Sequence, residues 1–211
     1  MWNNTTIIWD WNGTLLDDVE ISIMCINKML QKRNLPLLTT DGYRRIFTFP
    51  VKEYYEKAGF DFEKEDWTTV AVDYIESYFK EAYSCNLHKH AVEVLEFFRK
   101  NNRRQVIISA MQNQALNAMV KDYGISEYFD EILGIQDHYA NSKQQIVENF
   151  IKRVGEGNKI IFIGDTLHDA EIARSFGLDA ILFSKGHQNY ERLQATGFRI
   201  INSLMELENY L

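Results

Sequence analysis

Cysteine is scarce in this 211-residue chain, which carries only Cys25 and Cys85. The two stand far apart and in no CxxC or Cys/His spacing, so neither a zinc site nor a disulfide framework is indicated. Buried or half-buried reduced thiols, of the kind cytosolic chains carry, are expected instead. Positive charge is short as well, 23 Lys and Arg against 30 Asp and Glu, for a net charge of -7. Gripping a nucleic-acid backbone requires clustered Lys and Arg that release counterions, so no nucleic-acid partner is expected, and a broad membrane surface is disfavoured on the same ground. A small anionic substrate remains compatible, provided positive charge gathers locally. Also missing are any apolar run near the ~20 residues that cross a bilayer and any basic segment leading into an apolar signal core. The chain therefore reads as cytoplasmic. It shows no internal repeat, low-complexity tract or flexible linker.

What is present is the composition of a folding chain. Hydrophobic residues make up 45% and charged residues 25%, far from the balance that leaves a chain disordered. The length fits one globular domain, or a core carrying a smaller inserted unit. Six runs rich in β-branched and aromatic residues recur: TTIIWDW (5–11), RQVIISA (104–110), EILGI (131–135), KIIFIGD (159–165), AILFS (180–184) and FRIIN (198–202). Continuous apolar character suits strands covered on both faces. Between the runs, apolar residues return at helical spacing: Val94, Leu95 and Phe98; Leu116, Met119, Val120 and Tyr123; Ile146, Val147, Phe150, Ile151 and Val154. Strands alternating with helices predict right-handed crossovers and a mainly parallel sheet.

That alternation breaks once. From about Asp18 to Asn86 only helical stripes appear, Val19, Ile23, Ile26 and Leu30 in one, Trp67, Val70, Ala71, Tyr74 and Tyr78 in another, with RNLPLLTTDG and EKAGFDFEKED as breaks. The expected fold is α/β: a three-layer Rossmann-like core from residues 1–17 and 86–211 with a mainly parallel sheet, and an inserted α-helical cap, residues 18–85.

Carboxylates mark the expected mouth of the sheet. Asp10 ends the first strand and Asn12, Gly13 and Thr14 turn the chain; ligands of such sheets bind at the carboxyl ends of the strands. Asn-Gly by itself is an ordinary turn, but DDVEISIMCINKML after it is helical, which argues against a hairpin. In IFIGDTLHDAEIA, Asp165 follows a strand and Asp169 comes four residues later as a helix begins. Acidic residues favour a helix N-terminus without further role. If both converge with Asp10, however, three carboxylates repel one another unless a cation neutralises them, and an all-oxygen set favours Mg2+ over zinc. Ser109 ends QVIIS, ahead of AMQNQ read as a helix opening that offers a hydroxyl and free amides to an anion. Lys143 opens the helix after the third core strand. Taken singly, such a Ser or Lys is a capping or solvated residue.

The order of these pieces is more specific than any one of them. Asp10 to Thr14, Ser109, Lys143 and GDTLHD follow one another at successive strand ends, with a helical insertion between the first two. In this the chain resembles, over essentially its whole length, the haloacid dehalogenase superfamily of hydrolases, and within it the capped phosphatases of the phosphoglycolate phosphatase and β-phosphoglucomutase kind. The resemblance implies that Asp10 is a nucleophile forming an aspartyl-phosphate, beside Gly13 and Thr14. It implies Mg2+ held by Asp10, the backbone carbonyl of Asn12, Asp165 and, directly or through water, Asp169. Ser109, amides near Ala110, and Lys143 would hold the transferring oxygens. DGYRRIFTFPVKEYY lies where similar proteins place a loop that closes over substrate, which makes Arg44 and Arg45 candidates to pair a second anionic group. Adjacent residues of a helix do not face the same way, and such arginines are commonly solvated. The cap aromatics Phe47, Phe49, Phe60, Trp67 and Phe79 read as the cap's own small core. Lys185 and His187 fall near the cleft mouth with no role assigned.

One residue departs from the pattern. The family's phosphatases carry a second Asp where this chain has Asn12, and that Asp protonates the leaving oxygen and then activates water. A carboxamide does neither, although its backbone carbonyl is unchanged, so the deficit falls on catalysis rather than on metal binding. General acid–base help is worth about 10²–10⁴ in rate. Leaving groups that need no proton would suffer less in the first step. Relatives with Tyr or Ala at this place are dehalogenases and phosphonatases. The kept GDxxxD cluster disfavours the first, and the second would need a lysine from the cap, where Lys28, Lys32, Lys52, Lys57, Lys64 and Lys80 sit in no telling apolar context. His168 is a candidate substitute acid or a loop-positioning residue. Asn12-Gly13 can also cyclise to a succinimide and open to aspartate. The expected function is Mg2+-dependent hydrolysis of a small phosphorylated metabolite by a monomer or homodimer. The alternatives are a catalytically weakened protein that binds Mg2+ and a phosphorylated ligand, and phosphonatase-like or phosphotransfer chemistry.

Overall fold

The computed structural model describes residues 5–135, 142–155 and 157–209. The chain runs through β1 (Thr5–Trp9), β2 (Leu16–Asp17), helices α1 (Val19–Lys32), α2 (Thr40–Ile46), α3 (Val51–Ala58) and α4 (Trp67–Ala82), then β3 (Asn86–Leu87). There follow α5 (Ala91–Lys100), β4 (Arg104–Gln112), α6 (Asn113–Asp122), β5 (Glu131–Ile135), α7 (Lys143–Val154) and β6 (Lys159–Gly164). The last elements are α8 (Leu167–Ser175), β7 (Asp179–Phe183), α9 (Tyr190–Gln194) and β8 (Arg199–Ile201).

Every residue of β1 is buried, because the strand is central and both of its faces are covered. Ile7 and Trp9 pack with Leu95, Phe98 and Leu116 on one side, whereas Ile8, pointing the other way, packs with Val147, Phe150 and Ile172. The six strands lie in the order β5-β4-β1-β6-β7-β8 and pair in parallel, Ile8 standing opposite Val106 on one side and Phe162 on the other. All six coincide with the apolar runs. From β1 the chain winds outward to β4 and β5, then returns across to β6. The switch in direction therefore falls at the carboxyl end of β1, where such folds bind ligands.

Helices α1 to α4 form a layer with an interior of their own. Val19, Ile23, Ile26 and Leu30 of α1 are buried against Tyr43, Tyr54, Tyr55, Phe60 and Val70, each such aliphatic side chain contributing about 1.5–3 kcal/mol on burial. Thr39 and Asp66 cap α2 and α4 by accepting from the backbone N–H of Gly42 and Thr69. Both cysteines are free and buried. Among the described residues no helix is long and apolar enough to cross a membrane.

Three local features differ from expectation. β2 and β3 pair antiparallel, Leu16 opposite Leu87, and so hold side by side the two crossings between helical layer and sheet; two residues are too few to show a pattern in sequence. The segment expected to be a closing loop is two short helices, because Thr39 caps one and Pro50 starts the other. Strand β4 runs on to Gln112, with a register shift between Ile108 and Gln112, and α6 begins only at Asn113, where the Gln112 side chain accepts from Ala115 N. Ser109 thus sits in a strand irregularity rather than ahead of a helix, and its Oγ accepts from Met111 N at 3.1 Å.

Candidate active site

Three strands deliver three polar residues to one place. Asp10 follows β1, tied by its own N–H to Ile163 O at 2.8 Å; Ser109 lies in β4; Asp165 follows β6. Helix α7 adds Lys143 from its first position, and α8 adds Asp169. One carboxylate oxygen from each of Asp10, Asp165 and Asp169 lies within 4.8 Å of the others. Lys143 Nζ stands 2.6 Å from both Asp10 Oδ1 and Asp169 Oδ1. Asp169 Oδ2 accepts from the N–H groups of Asp165 and Thr166 and from Thr166 Oγ1 at 2.7 Å, closing a capping box at the start of α8. Asp165 accepts from Thr14 Oγ1 at 2.9 Å and from His187 N at 2.6 Å. Glycine is required beside it: Gly13 has φ +71°, and a Cβ there or on Gly186 would fall 2.4 or 2.1 Å from Asp165 Oδ2.

Charge in this cluster is unbalanced. Burial, opposed by Lys143 and reinforced by Asp169 and Asp165, pushes the Asp10 carboxyl up to about 8. Burial likewise raises Asp165 to about 6, the charge of His187 opposing it and that of Asp169 adding to it. Burial also acts on Asp169, but Lys143 and the Thr166 hydroxyl outweigh it and hold that carboxyl below the usual range. Lys143 is kept charged, its pKa raised by Asp10 and Asp169 against the effect of burial. Three buried carboxylates against one lysine are a hard, all-oxygen donor set with charge to spare, and these residues fit a divalent cation of the Mg2+ class. Both oxygens of Asp165 and both of Asp169 already accept hydrogen bonds, and Asp169 differs in that one of its oxygens is held by the charged Lys143.

A fourth buried carboxylate organises the neighbouring wall. Asp18 accepts from Asn12 Nδ2 at 2.8 Å, Gly13 N at 2.8 Å and Tyr78 OH at 2.7 Å, and lies 3.2 Å from His187 Nε2. Asn12 Nδ2 also donates to Tyr78 OH at 2.7 Å, and His187 Nδ1 pairs with Tyr43 OH at 2.8 Å. Despite burial, His187 and its hydrogen bond hold Asp18 below the carboxylate range, and Asp18 in turn lifts His187 to about 9. The pair is ionic. None of Asp18, His187, Tyr43 and Tyr78 was singled out by motif; the nearest signals were a second Asp after the turn and a histidine just beyond a strand end.

Above these residues lies a cavity of about 510 Å³ between sheet and helical layer. Asp10, Asn12, Ser109, Ala110, Lys143 and Asp169 line its floor, while Gly13 and Thr14 lie behind and support Asp165. Phe47, Phe49, Trp67 and Phe79 line the roof, so of the aromatics read as cap core only Phe60 stays wholly in the interior of the helical layer. Arg44 and Arg45 are not brought to the cavity. Arg44 donates to the carbonyls of Gly186 and Lys185 at 2.9 and 2.8 Å, and Arg45 pairs with Asp41 on the surface. His168 stacks on Phe49, centroids 4.8 Å apart, and burial holds its pKa down. No lysine of the helical layer lines the cavity, which leaves the phosphonatase alternative without its cap lysine among the described residues.

Fold and site together define a class: a doubly wound α/β protein whose carboxylates and lysine meet at the switch point, beneath a helical cover. Residues 7–183 match the family of haloacid dehalogenase-like hydrolases, and the chain belongs to it. Among curated relatives, a phosphoglycolate phosphatase of Caulobacter vibrioides is 24% identical over 192 residues, 88% of this chain and 81% of that protein. An N-acetylmuramic acid 6-phosphate phosphatase of Pseudomonas putida is 24% identical over 177 residues, 81% of this chain and 78% of that one. Among solved structures, a haloacid dehalogenase-like family protein from Streptococcus pneumoniae superposes with a TM-score of 0.83 at 19% identity, covering 100% of this chain and 99% of the other.

Proposed function

We propose that this hydrolase is a cytoplasmic, Mg2+-dependent phosphatase that cleaves the phosphomonoester of a small metabolite through an aspartyl-phosphate on Asp10. The observation that carries the reading is the contact of Lys143 with both Asp10 and Asp169 at the floor of a covered cavity. A buried nucleophile beside a fixed cation is what attack on a charged phosphoryl group requires. Asp10, the Asn12 carbonyl and Asp165 would hold Mg2+, with Asp169 as support; when bound, the ion shields the carboxylate from the phosphoryl oxygens. Asp10 attacks phosphorus and the ester oxygen leaves. Lys143, the Ser109 hydroxyl and the amide at Ala110 receive the phosphoryl charge. Water then frees phosphate and restores Asp10. A weakened binder is the second reading, favoured by one observation: the amide of Asn12 is tied to Asp18 and Tyr78 and titrates no proton.

The test is Mg2+-dependent phosphate release by the protein and by Asp10→Asn, with acid-quenched samples mapped by mass spectrometry. Loss of release in the variant and phosphate on the Asp10 peptide of the parent are expected. Equal release by both proteins would sink the reading, and tight ligand binding without any release would point to the binder.

A further inference from the structure

The roof of the cavity is almost entirely carbon. Phe47, Tyr55, Trp67, Tyr74 and Phe79 line it, and Tyr74 stacks on Tyr78 with centroids 6.0 Å apart. Among the described lining residues Lys143 is the one lysine or arginine, and it is already engaged at the floor. His187 is paired with Asp18 and His168 is stacked on Phe49. Nothing described in the roof would neutralise a second anionic group, and leaving a carboxylate unpaired in such surroundings is strongly unfavourable. An uncharged ring, by contrast, gains from each aromatic contact beyond its buried area, and the volume lies in the range that takes ring-sized ligands.

The floor points the same way by an independent route. With Asn12 in place of an acid, the side chain that would protonate the leaving oxygen is missing from its place beside Asp10. A phenol ionises near ~10, whereas an alkyl alcohol holds its proton in the range of water, about 16. A phenolate leaves without help; an alkoxide does not.

We propose that the substrate is an aryl phosphate, the phosphate ester of an uncharged phenolic ring, with the ring under the aromatic roof and the phosphoryl group at Asp10 and Lys143. This rests on the phosphatase reading of Asp10. In the first step an Asp10 oxygen bonds to phosphorus, the P–O(aryl) bond breaks, and the phenolate leaves with the electron pair and takes its proton from water. In the second, water attacks the aspartyl-phosphate, releasing inorganic phosphate and a proton and regenerating the carboxylate. That step lacks a base, so phenol appears in a burst.

Phenyl phosphate, benzyl phosphate and phosphoglycolate separate the two arguments, since benzyl phosphate keeps the ring but leaves as an alkoxide. With Mg2+ present, kcat/KM for phenyl phosphate is expected to exceed that for benzyl phosphate by at least about 10²-fold, the lower end of general-acid help. Phenylphosphonate should bind more tightly than phosphonoacetate by calorimetry. Ile75→Arg places a guanidinium at a half-exposed position of the cavity wall and should shift the phenyl-to-phosphoglycolate ratio toward phosphoglycolate by about tenfold or more. Phosphoglycolate turned over as well as phenyl phosphate, phosphonoacetate bound more tightly, or a ratio unmoved by Ile75→Arg would each overturn the substrate class and leave the phosphatase reading standing. Absence of Asp10-dependent release from every ester would overturn both.

Discussion

Position 12 has its two amide N–H bonds already engaged, one with Asp18 Oδ2 and one with Tyr78 OH. Restoring the family's second acid there is therefore not a simple gain of function. Asn12→Asp would set two carboxylates at the spacing now bridged by a hydrogen bond, one half-buried and one buried, and is expected to destabilise the fold by about 1–3 kcal/mol. Exchanging the groups, Asn12→Asp with Asp18→Asn, keeps one acid and one amide in contact. The double variant removes the like-charge contact but also takes the carboxylate from His187, so it is expected to show a favourable coupling of about 1 kcal/mol or more without regaining the parent's stability, and to hydrolyse alkyl phosphates faster than the parent. Thermal unfolding and kinetics of the four proteins check this; an additive cycle would mean the two side chains do not act as a pair. The same contacts protect Asn12 chemically. Gly13 N, which would attack the side chain to form a succinimide, donates to Asp18 Oδ1 and Leu16 O. Peptide mapping after prolonged incubation at neutral pH should find Asn at position 12 in the folded protein and deamidation only in the unfolded chain.

At the scale of elements, α2 and the turn after it fasten the helical layer to the sheet. Arg44 reaches two carbonyls beyond β7, while Arg192 of α9 donates to the carbonyls of Arg44 and Phe47, the latter also receiving Gln188 Nε2. Arg192→Ala is expected to raise KM several-fold, more than it lowers kcat, because the cover opens while Asp10 and Lys143 stay in place; a fall in thermal stability with KM unchanged would make the contact merely structural. What the sequence disclosed follows from the range of each signal. The strands were legible because burial of both faces makes runs such as IIW and IIFI continuous. Asp10, Lys143, Asp165 and Asp169 were legible because their order at successive strand ends is itself a pattern. Asp18 and His187, 169 positions apart, carry no local mark of their contact. Arg44 and Arg45 looked like anion ligands because sequence shows charge but not the carbonyls and carboxylate that satisfy it.

Over the whole molecule, an acidic chain concentrates uncompensated negative charge at the centre of its own core. Asp10, Asp165 and Asp169 are each at least nine-tenths buried, and Lys143 contacts Asp10 and Asp169 of the three, so the metal-free fold carries a repulsion that a bound cation removes. Ligands that bind only the folded state stabilise it by RT ln(1 + [L]/Kd), about 2.7 kcal/mol at a hundredfold excess over Kd. In a chain of this size that corresponds to a rise in Tm of about 5–10 °C. Mg2+ is therefore expected to raise Tm in a concentration-dependent manner, and chelation to reverse the rise. Asp10→Asn removes one of the three charges without removing the side chain's bulk. In chelator it should unfold no earlier than the parent, and Mg2+ should move it less. A parent protein whose Tm ignores Mg2+ up to millimolar levels would show that Lys143 alone balances the site, and the metal assignment would fall with it.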